Sequence, residues 1–250
     1  MHNKACSCLE VTHRVPHRRR FLGASLAVAA TTFAAGVPIE PARAEALTAA
    51  QREKLSPDDI LALMRKGNKR FASGRREMHN YLAQQRASAA GQHPFAILLS
   101  CIDSRAPAET IMDLRIGDVF NTRIAGNIEN PDVLGGMEFA CKLMGAKVIL
   151  VIGHTACGAI KGAIDHAELG NLTGLLDRIK PAVAATEYAG ERTSKNYAFV
   201  DAVARRNVEM TIASIRRDSP ILAGMESSGA IKLAGSMYDL KTGVIDFFRA

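Results

Sequence analysis

Tryptophan is missing from the 250 residues, tyrosine occurs four times, and aromatic residues make up 5% of the chain. A nucleic-acid surface needs a basic stripe interleaved with stacking aromatics, and this sequence supplies neither. The net charge of +7 is concentrated at the front: residues 1–44 hold six Lys/Arg against two acids (+4), leaving 26 against 23 (+3) for the rest. Also lacking is an apolar run that spans a bilayer, since the Ala-rich stretch 23–37 falls short of the roughly 20 residues required. There is no internal repeat and no low-complexity segment beyond the first 44 residues. Cysteine is sparse: after residue 44 only Cys101, Cys141 and Cys157 remain, an odd set that excludes a closed disulfide framework. With 48% hydrophobic and 23% charged residues, the remainder has the composition of one globular domain with a sizeable core.

The N-terminus has the form of an export signal. Arg18-Arg19-Arg20-Phe21-Leu22 fits the R-R-x-F-L core of a twin-arginine signal, and Ala42-Arg43-Ala44 supplies small residues before a cut between Ala44 and Glu45. The expectation is a signal peptide over residues 1–44, a periplasmic product, and no stable membrane anchor after cleavage. Cys6 and Cys8 would leave with the signal. A route that exports folded protein also lets a metal site be filled before export.

Beyond the signal the pattern predicts an α/β fold: a mostly parallel central sheet with flanking helices, an N-terminal helical arm and a C-terminal helical subdomain. The single domain 45–250 divides into an arm (45–92), an α/β core (93–170) and C-terminal helices and strands (171–250). Residues 45–53 read as a polar lead-in. Ser56-Pro57-Asp58-Asp59 marks a helix start, with Ile60, Met64, Gly67 and Phe71 on one face and Arg65, Lys66 and Lys69 opposite. A second helix is expected over 80–90. Then come strand 95–100, helix 107–114, strand 118–124, the Ala125-Gly126-Asn127 turn, helix 132–144, strand 147–152 and helix 157–167. Alternation at this spacing makes parallel βαβ units with right-handed crossovers. Helices over 175–186 and 197–218 follow, then strands 231–238 and 244–248 joined by a Gly-containing turn.

The chemistry gathers at two strand ends. Cys101 follows one apolar run, and His154 and Cys157 follow another, which is where open α/β sheets place their sites. Two thiolates and an imidazole are suitable donors for Zn²⁺, which takes four tetrahedral positions, so one position stays open to water. Purely structural zinc sites favour short paired spacings such as C-x-x-C twice, and these are absent. Asp103 and Arg105 stand two and four residues from Cys101. The carboxylate could bind the metal itself and close the site, or be held off it by a bidentate pair with Arg105 and orient a nucleophile. Cys141 lies among methionines at helical spacing and reads as a buried inert thiol, while His93, Lys161 and His166 read as loop or surface residues.

Ser100-Cys101-Ile102-Asp103-Ser104-Arg105, Gly117-Asp118-Val119-Phe120, Arg123-Ile124-Ala125-Gly126-Asn127 and Gly153-His154-Thr155-Ala156-Cys157-Gly158-Ala159 together resemble the β-class carbonic anhydrases, in their plant-like branch. The resemblance runs from about residue 55 to the C-terminus. It implies one Zn²⁺ per chain held by Cys101, His154 and Cys157, Asp103 and Arg105 as a catalytic dyad, and reversible hydration of CO₂ to bicarbonate and a proton. It also implies a homodimer or homotetramer, with Gln92 reaching substrate across the dimer interface and Phe120 and Ala125 as pocket wall. Gly158, opening the helix after the last ligand, joins the expected substrate-binding set, and the N–H groups there would favour the Cys157 thiolate. Leu98 stands where bicarbonate-regulated members carry Trp, which argues against that regulatory site. Ile124 departs from the Asn common at its position. Two rival functions stay open at this stage: hydrolysis of carbonyl sulfide or carbon disulfide on the same scaffold, and noncatalytic zinc binding.

Overall fold

β1 (Ala96–Ser100) and β3 (Val148–His154) are buried at every position, the mark of central strands covered on both faces. They belong to a computed structural model that describes residues 47–248; the expected signal peptide, with Cys6 and Cys8, lies outside the described residues. Three more strands, β2 (Val119–Arg123), β4 (Lys232–Tyr238) and β5 (Ile245–Phe248), complete a sheet of order β2-β1-β3-β4-β5. All neighbours are parallel except β4 and β5, which form an antiparallel hairpin. The chain leaves β1 for β2 on one side and returns to β3 on the other. The crevice beyond the carboxyl ends of β1 and β3 is therefore the topological switch point, the place where such sheets bind ligands.

Alternation along the strands sends side chains into two cores. Ile97, Leu99, Ile149 and Val151 join one apolar cluster, under α9 (Tyr197–Asp218) and α6 (Gly158–Ile164). Ala96, Leu98, Val148, Leu150 and Ile152 join the other, with Ile60, Leu61 and Met64 of α2 (Pro57–Ala72). The face expected for α2 is the buried one, and Gly67 is required there because a Cβ would overlap the Met112 carbonyl oxygen. Ser56 caps α2 reciprocally with Asp59, and Pro57 opens it, as the sequence indicates. α9 buries Phe199, Val200, Val203, Val208, Ile212 and Ile215 completely. At about 1.5–3 kcal/mol for each such side chain, α9 is among the most firmly seated elements.

Several helices are shorter than their sequence pattern. The helix expected over 107–114 is only α4 (Ala108–Ile111), because Asp113 takes a left-handed conformation, φ +52°, and its carboxylate is committed to the arm. The helix expected over 132–144 is α5 (Pro131–Glu138) followed by a π-helical turn, Phe139–Leu143. Pro181 opens a new helix, so 175–186 belongs to two, α7 (Gly170–Asp177) and α8 (Lys180–Ala185). Two short helices are absent from the sequence reading: α1 (Ala49–Glu53), with a Thr48 capping box, and α10 (Pro220–Ser227), with Ser219 as N-cap. α3 (Tyr81–Ser88) lies where the second arm helix is expected.

The arm is tied to the core by one buried carboxylate. Asp113, its side chain inaccessible to solvent, accepts bonds from Arg70 Nε (2.6 Å), Arg76 Nε (3.3 Å), the Glu77 N–H (3.0 Å) and His79 Nε2 (2.9 Å). Burial pushes its pKa up, but these partners outweigh it and the net shift is downward. No helix among the described residues is long and apolar enough to cross a membrane.

Candidate metal centre

Cys101 is the residue after β1, His154 ends β3, and Cys157 caps α6; β1 and β3 are hydrogen-bonded neighbours, so sequence separation becomes contact. The three candidate ligand atoms lie within 4.8 Å of one another, and all three residues are buried. The sulfurs are 4.0 Å apart. Two sulfurs bound tetrahedrally at about 2.3 Å from zinc stand roughly 3.8 Å apart, close to that separation. His154 Nδ1 lies 2.9 Å from the Thr155 carbonyl oxygen, which can only accept, so Nδ1 carries the proton and Nε2 is left with its lone pair. Nε2 is buried without a hydrogen-bond partner. A buried, unpartnered ring nitrogen beside two thiols is costly unless something binds there, and a soft cation fits this donor set.

The electrostatics agree with that fit. The neighbouring Cys157 thiol, with the Gly126 N–H on the other side, pulls the Cys101 pKa well down despite burial. Cys157 moves the other way, raised by the Cys101 thiolate beside it and by desolvation. The N–H groups of Ala159 and Ile160, at the start of α6, act to lower it but are outweighed. The helix start therefore favours the Cys157 thiolate, as expected, but beside an ionised Cys101 in a dry site the second sulfur keeps its proton. Burial pulls the His154 pKa down, but the Cys101 thiolate, the Thr155 carbonyl and Asp103 together raise it.

Asp103 is gripped by Arg105: Nε donates to Oδ1 at 2.9 Å, Nη2 to Oδ2 at 2.7 Å, and the Arg105 backbone N–H to Oδ1 at 3.0 Å. This fork holds the carboxyl well below the usual carboxylate range, against partial burial. Oδ2 stands 3.8 Å from His154 Nε2. The carboxylate stands beside the three-residue ligand cluster in the second of the two arrangements open in the sequence, paired with Arg105.

Arg123 carries weight that no spacing in the sequence announces. It ends β2 in register with Ser100, and its guanidinium donates to the Cys101 carbonyl (2.8 Å) and the Asp103 carbonyl (2.6 Å). The first ligand loop is thereby tied down from the neighbouring strand. The second is tied to the β4–β5 turn, where Leu240 N–H donates to Thr155 Oγ1 and Thr155 N–H to the Tyr238 carbonyl. Asp103 and Arg105 open into a pocket of about 850 Å³, together with Gly158, Lys161, Tyr197 and Asp201. Lys161 is not simply solvated as expected: its Nζ sits 4.0 Å from the centre of the Tyr197 ring.

The remaining expected residues are more scattered. Phe120 meets Phe139 edge-on at 6.1 Å, and Ala125 opens a 3₁₀ turn; neither lines this pocket. Gln92 is exposed in the loop before β1 and does not line it either. Cys141 is buried, its thiol pushed up to about 12 by desolvation.

The comparisons with known proteins converge. The family model for carbonic anhydrase matches residues 96–245. Carbonic anhydrase 2 of Mycobacterium tuberculosis is 33% identical over 186 residues, 72% of this chain and 87% of that protein. A carbonic anhydrase of Mycolicibacterium smegmatis is 30% identical over 189 residues, 73% of this chain and 89% of its own length. Among solved structures, a β-carbonic anhydrase of Aspergillus fumigatus superposes with TM-score 0.58 at 25% identity, covering 76% of this chain and 89% of that one. One of Sordaria macrospora, from a study of two tetrameric enzymes, gives 0.57 at 26% identity, covering 65% and 84%. With the Cys101–His154–Cys157 cluster at the switch point of the same kind of sheet, the chain belongs to the β-class carbonic anhydrases, a family of enzymes whose general reaction is CO₂ hydration.

Proposed function

We propose that this protein is a zinc-dependent carbonic anhydrase that interconverts CO₂ with bicarbonate and a proton, one Zn²⁺ held by Cys101, His154 and Cys157 in each chain. The observation that carries the proposal is the buried, partnerless His154 Nε2 facing two sulfurs 4.0 Å apart. When bound, zinc supplies Lewis acidity that makes water a nucleophile at accessible pH. The chain does the rest. Arg105 keeps Asp103 ionised and fixes the direction of its oxygens, so Oδ2 offers a proton acceptor beside the ligand cluster. The His154 Nδ1–H bond to Thr155 sets the tautomer that presents Nε2, and Arg123 fixes the backbone that carries both Cys101 and Asp103. Gly158 lies on the pocket wall, while Phe120 and Ala125 lie outside this pocket.

Assembly into dimers or tetramers belongs to the same proposal. Phe139 and Leu143, four residues apart, are 47% and 73% exposed, and Phe120 packs against the first, an apolar patch suited to a second copy. Gln92, solvent-facing here, would then reach the substrate of the partner's site. Export is proposed from Arg18-Arg19-Arg20-Phe21-Leu22, with a periplasmic enzyme as the product.

The test is metal content and CO₂ hydration by stopped flow on one purified sample, from neutral to alkaline pH. One zinc per chain with hydration well above the buffer rate supports the reading. Zinc without hydration points to a noncatalytic protein, and turnover of carbonyl sulfide or carbon disulfide in place of CO₂ to the related hydrolase. Light scattering reads the assembly state, and fractionation of cells carrying Arg18→Lys with Arg19→Lys checks export, which that change should abolish.

A further inference from the structure

One helix outside the ligand motifs touches both ligand loops. α9 approaches β3 so closely at Gly153, the residue before His154, that a Cβ there would lie 2.7 Å from Val208 Cγ2 and 3.5 Å from the Ala204 carbonyl oxygen. From this tight seat it extends two polar side chains. Asp201 Oδ1 accepts the Ala156 N–H at 2.8 Å. Ala156, between His154 and Cys157, has φ +53°, a left-handed conformation that an alanine keeps only when its surroundings impose it. Asn207, 3% exposed, donates from Nδ2 to the Gly126 carbonyl at 2.7 Å. Gly126 in turn points its N–H at Cys101 Sγ, 3.4 Å away. Its φ of +70°, and an Ile179 Cδ1 only 2.5 Å from where a Cβ would be, make glycine the residue that can present that N–H.

We propose that Asp201 and Asn207 are positioning residues: through Ala156 and Gly126 they hold the two ligand loops at the separation a tetrahedral metal requires. The proposal deepens the zinc reading above and rests on it. Neither residue is near a ligand in sequence: Asp201 is 44 residues beyond Cys157, and Asn207 is 50 beyond it. The physical reason for using α9 is rigidity. Loops after strands drift, whereas a helix with six fully buried apolar side chains does not, so bonds from its fixed surface convert two flexible ligand loops into one preorganised cage. Three of the helix's contacts fall on the ligand segments themselves: Gly153 before His154, Ala156 before Cys157, and Gly126 against Cys101.

The test uses the full chain loaded with zinc, and a second sample loaded with Co²⁺. Zinc transfer to a coloured chelator measures how firmly the cage is held, and the visible bands of tetrahedral cobalt bound by thiolate report its geometry. Asp201→Ala and Asn207→Ala are expected to release zinc about 10–100-fold faster than the parent and to shift or weaken the cobalt bands. Asp201→Asn, which keeps an oxygen acceptor, should match the parent. Val203→Ala, a cavity in the same helix, should lower the melting temperature and leave the cobalt bands in place, which separates positioning from general destabilisation. Asp201 is at the pocket rim, so Asp201→Ala carries the test if Asn207→Ala fails to fold. Parent-like release and spectra in Asp201→Ala, or a Val203→Ala spectrum displaced as far as that of Asp201→Ala, would overturn the positioning role alone. A parent chain that takes up no zinc would bring down the zinc reading as well, a result visible before any variant is made.

Discussion

Two buried polar centres sit on this sheet, and they are built in opposite ways. At Asp113 a buried carboxylate accepts from four donors, two of them arginines, and is thereby satisfied. At the Cys101–His154–Cys157 cluster a ring nitrogen is buried with no partner and two sulfurs press together, so the group is incomplete by itself. A saturated buried charge is architecture: it fastens the arm to α4, and its value lies in the damage done when one partner is removed. An unsaturated one marks a place where something binds. The contrast separates structural from functional polar burial without reference to any relative.

The sharpest way to break the comparison is at a ligand. Cys157→Ser should reduce zinc from one per chain to near none, abolish CO₂ hydration and lower stability together, because metal binding is linked to folding; metal analysis that finds full zinc would mean the wrong atoms have been assigned. Asp113→Ala strands Arg70, Arg76 and His79 around a cavity and should cost about 3–5 kcal/mol of stability, with zinc per folded chain unchanged. Denaturant unfolding with parallel zinc analysis checks it, and a loss of metal at full stability would reverse the assignments of the two centres. Asp103→Asn keeps the shape but weakens the Arg105 fork and removes the charge; hydration should fall about 100-fold with zinc retained, so full activity would make the carboxylate a bystander.

Acid titration sharpens the comparison further. Asp113 has a folded pKa below its ordinary value of 3.8, so its contribution to stability is complete above that value and is lost as pH falls through the folded one. Asp113→Asn should flatten the acid limb of the stability curve below about pH 4 and leave the neutral limb parallel to the parent; an unchanged acid limb would show that other carboxylates govern it. The smallest effect is expected at Cys141. Its thiol, raised to about 12 by burial, should resist alkylation in both zinc-loaded and chelated protein, whereas Cys101 and Cys157 should become reactive once zinc is stripped. Peptide mass mapping after labelling distinguishes the three.

Much of the centre was legible because its residues report local chemistry. Cys101, His154 and Cys157 follow runs of apolar residues that only central strands require, and Asp103 and Arg105 lie within one loop of the first ligand. α2 and α9 were legible for the same reason: caps and apolar periodicity are written in consecutive residues. Less legible were elements cut short by distant partners. Asp113 ends α4 because residues 70–79 claim its carboxylate, and no pattern within 107–114 shows them. Ser219-Pro220 repeats the Ser56-Pro57 start signal, but the segment it opens is one short helix with little periodicity to support it.

The amino-acid sequence by itself determined which side chains can bind a soft cation, which strands are buried on both faces, and where the helices begin, since donor chemistry, hydropathy and capping are properties of neighbouring residues. Tertiary structure alone decided that Arg123 from β2 ties down the first ligand loop, and that Asp201 and Asn207 of α9 reach both loops. Those outcomes depend on angles and distances between segments 20 to 80 residues apart, which exist only after the sheet has closed and the helices have packed on it.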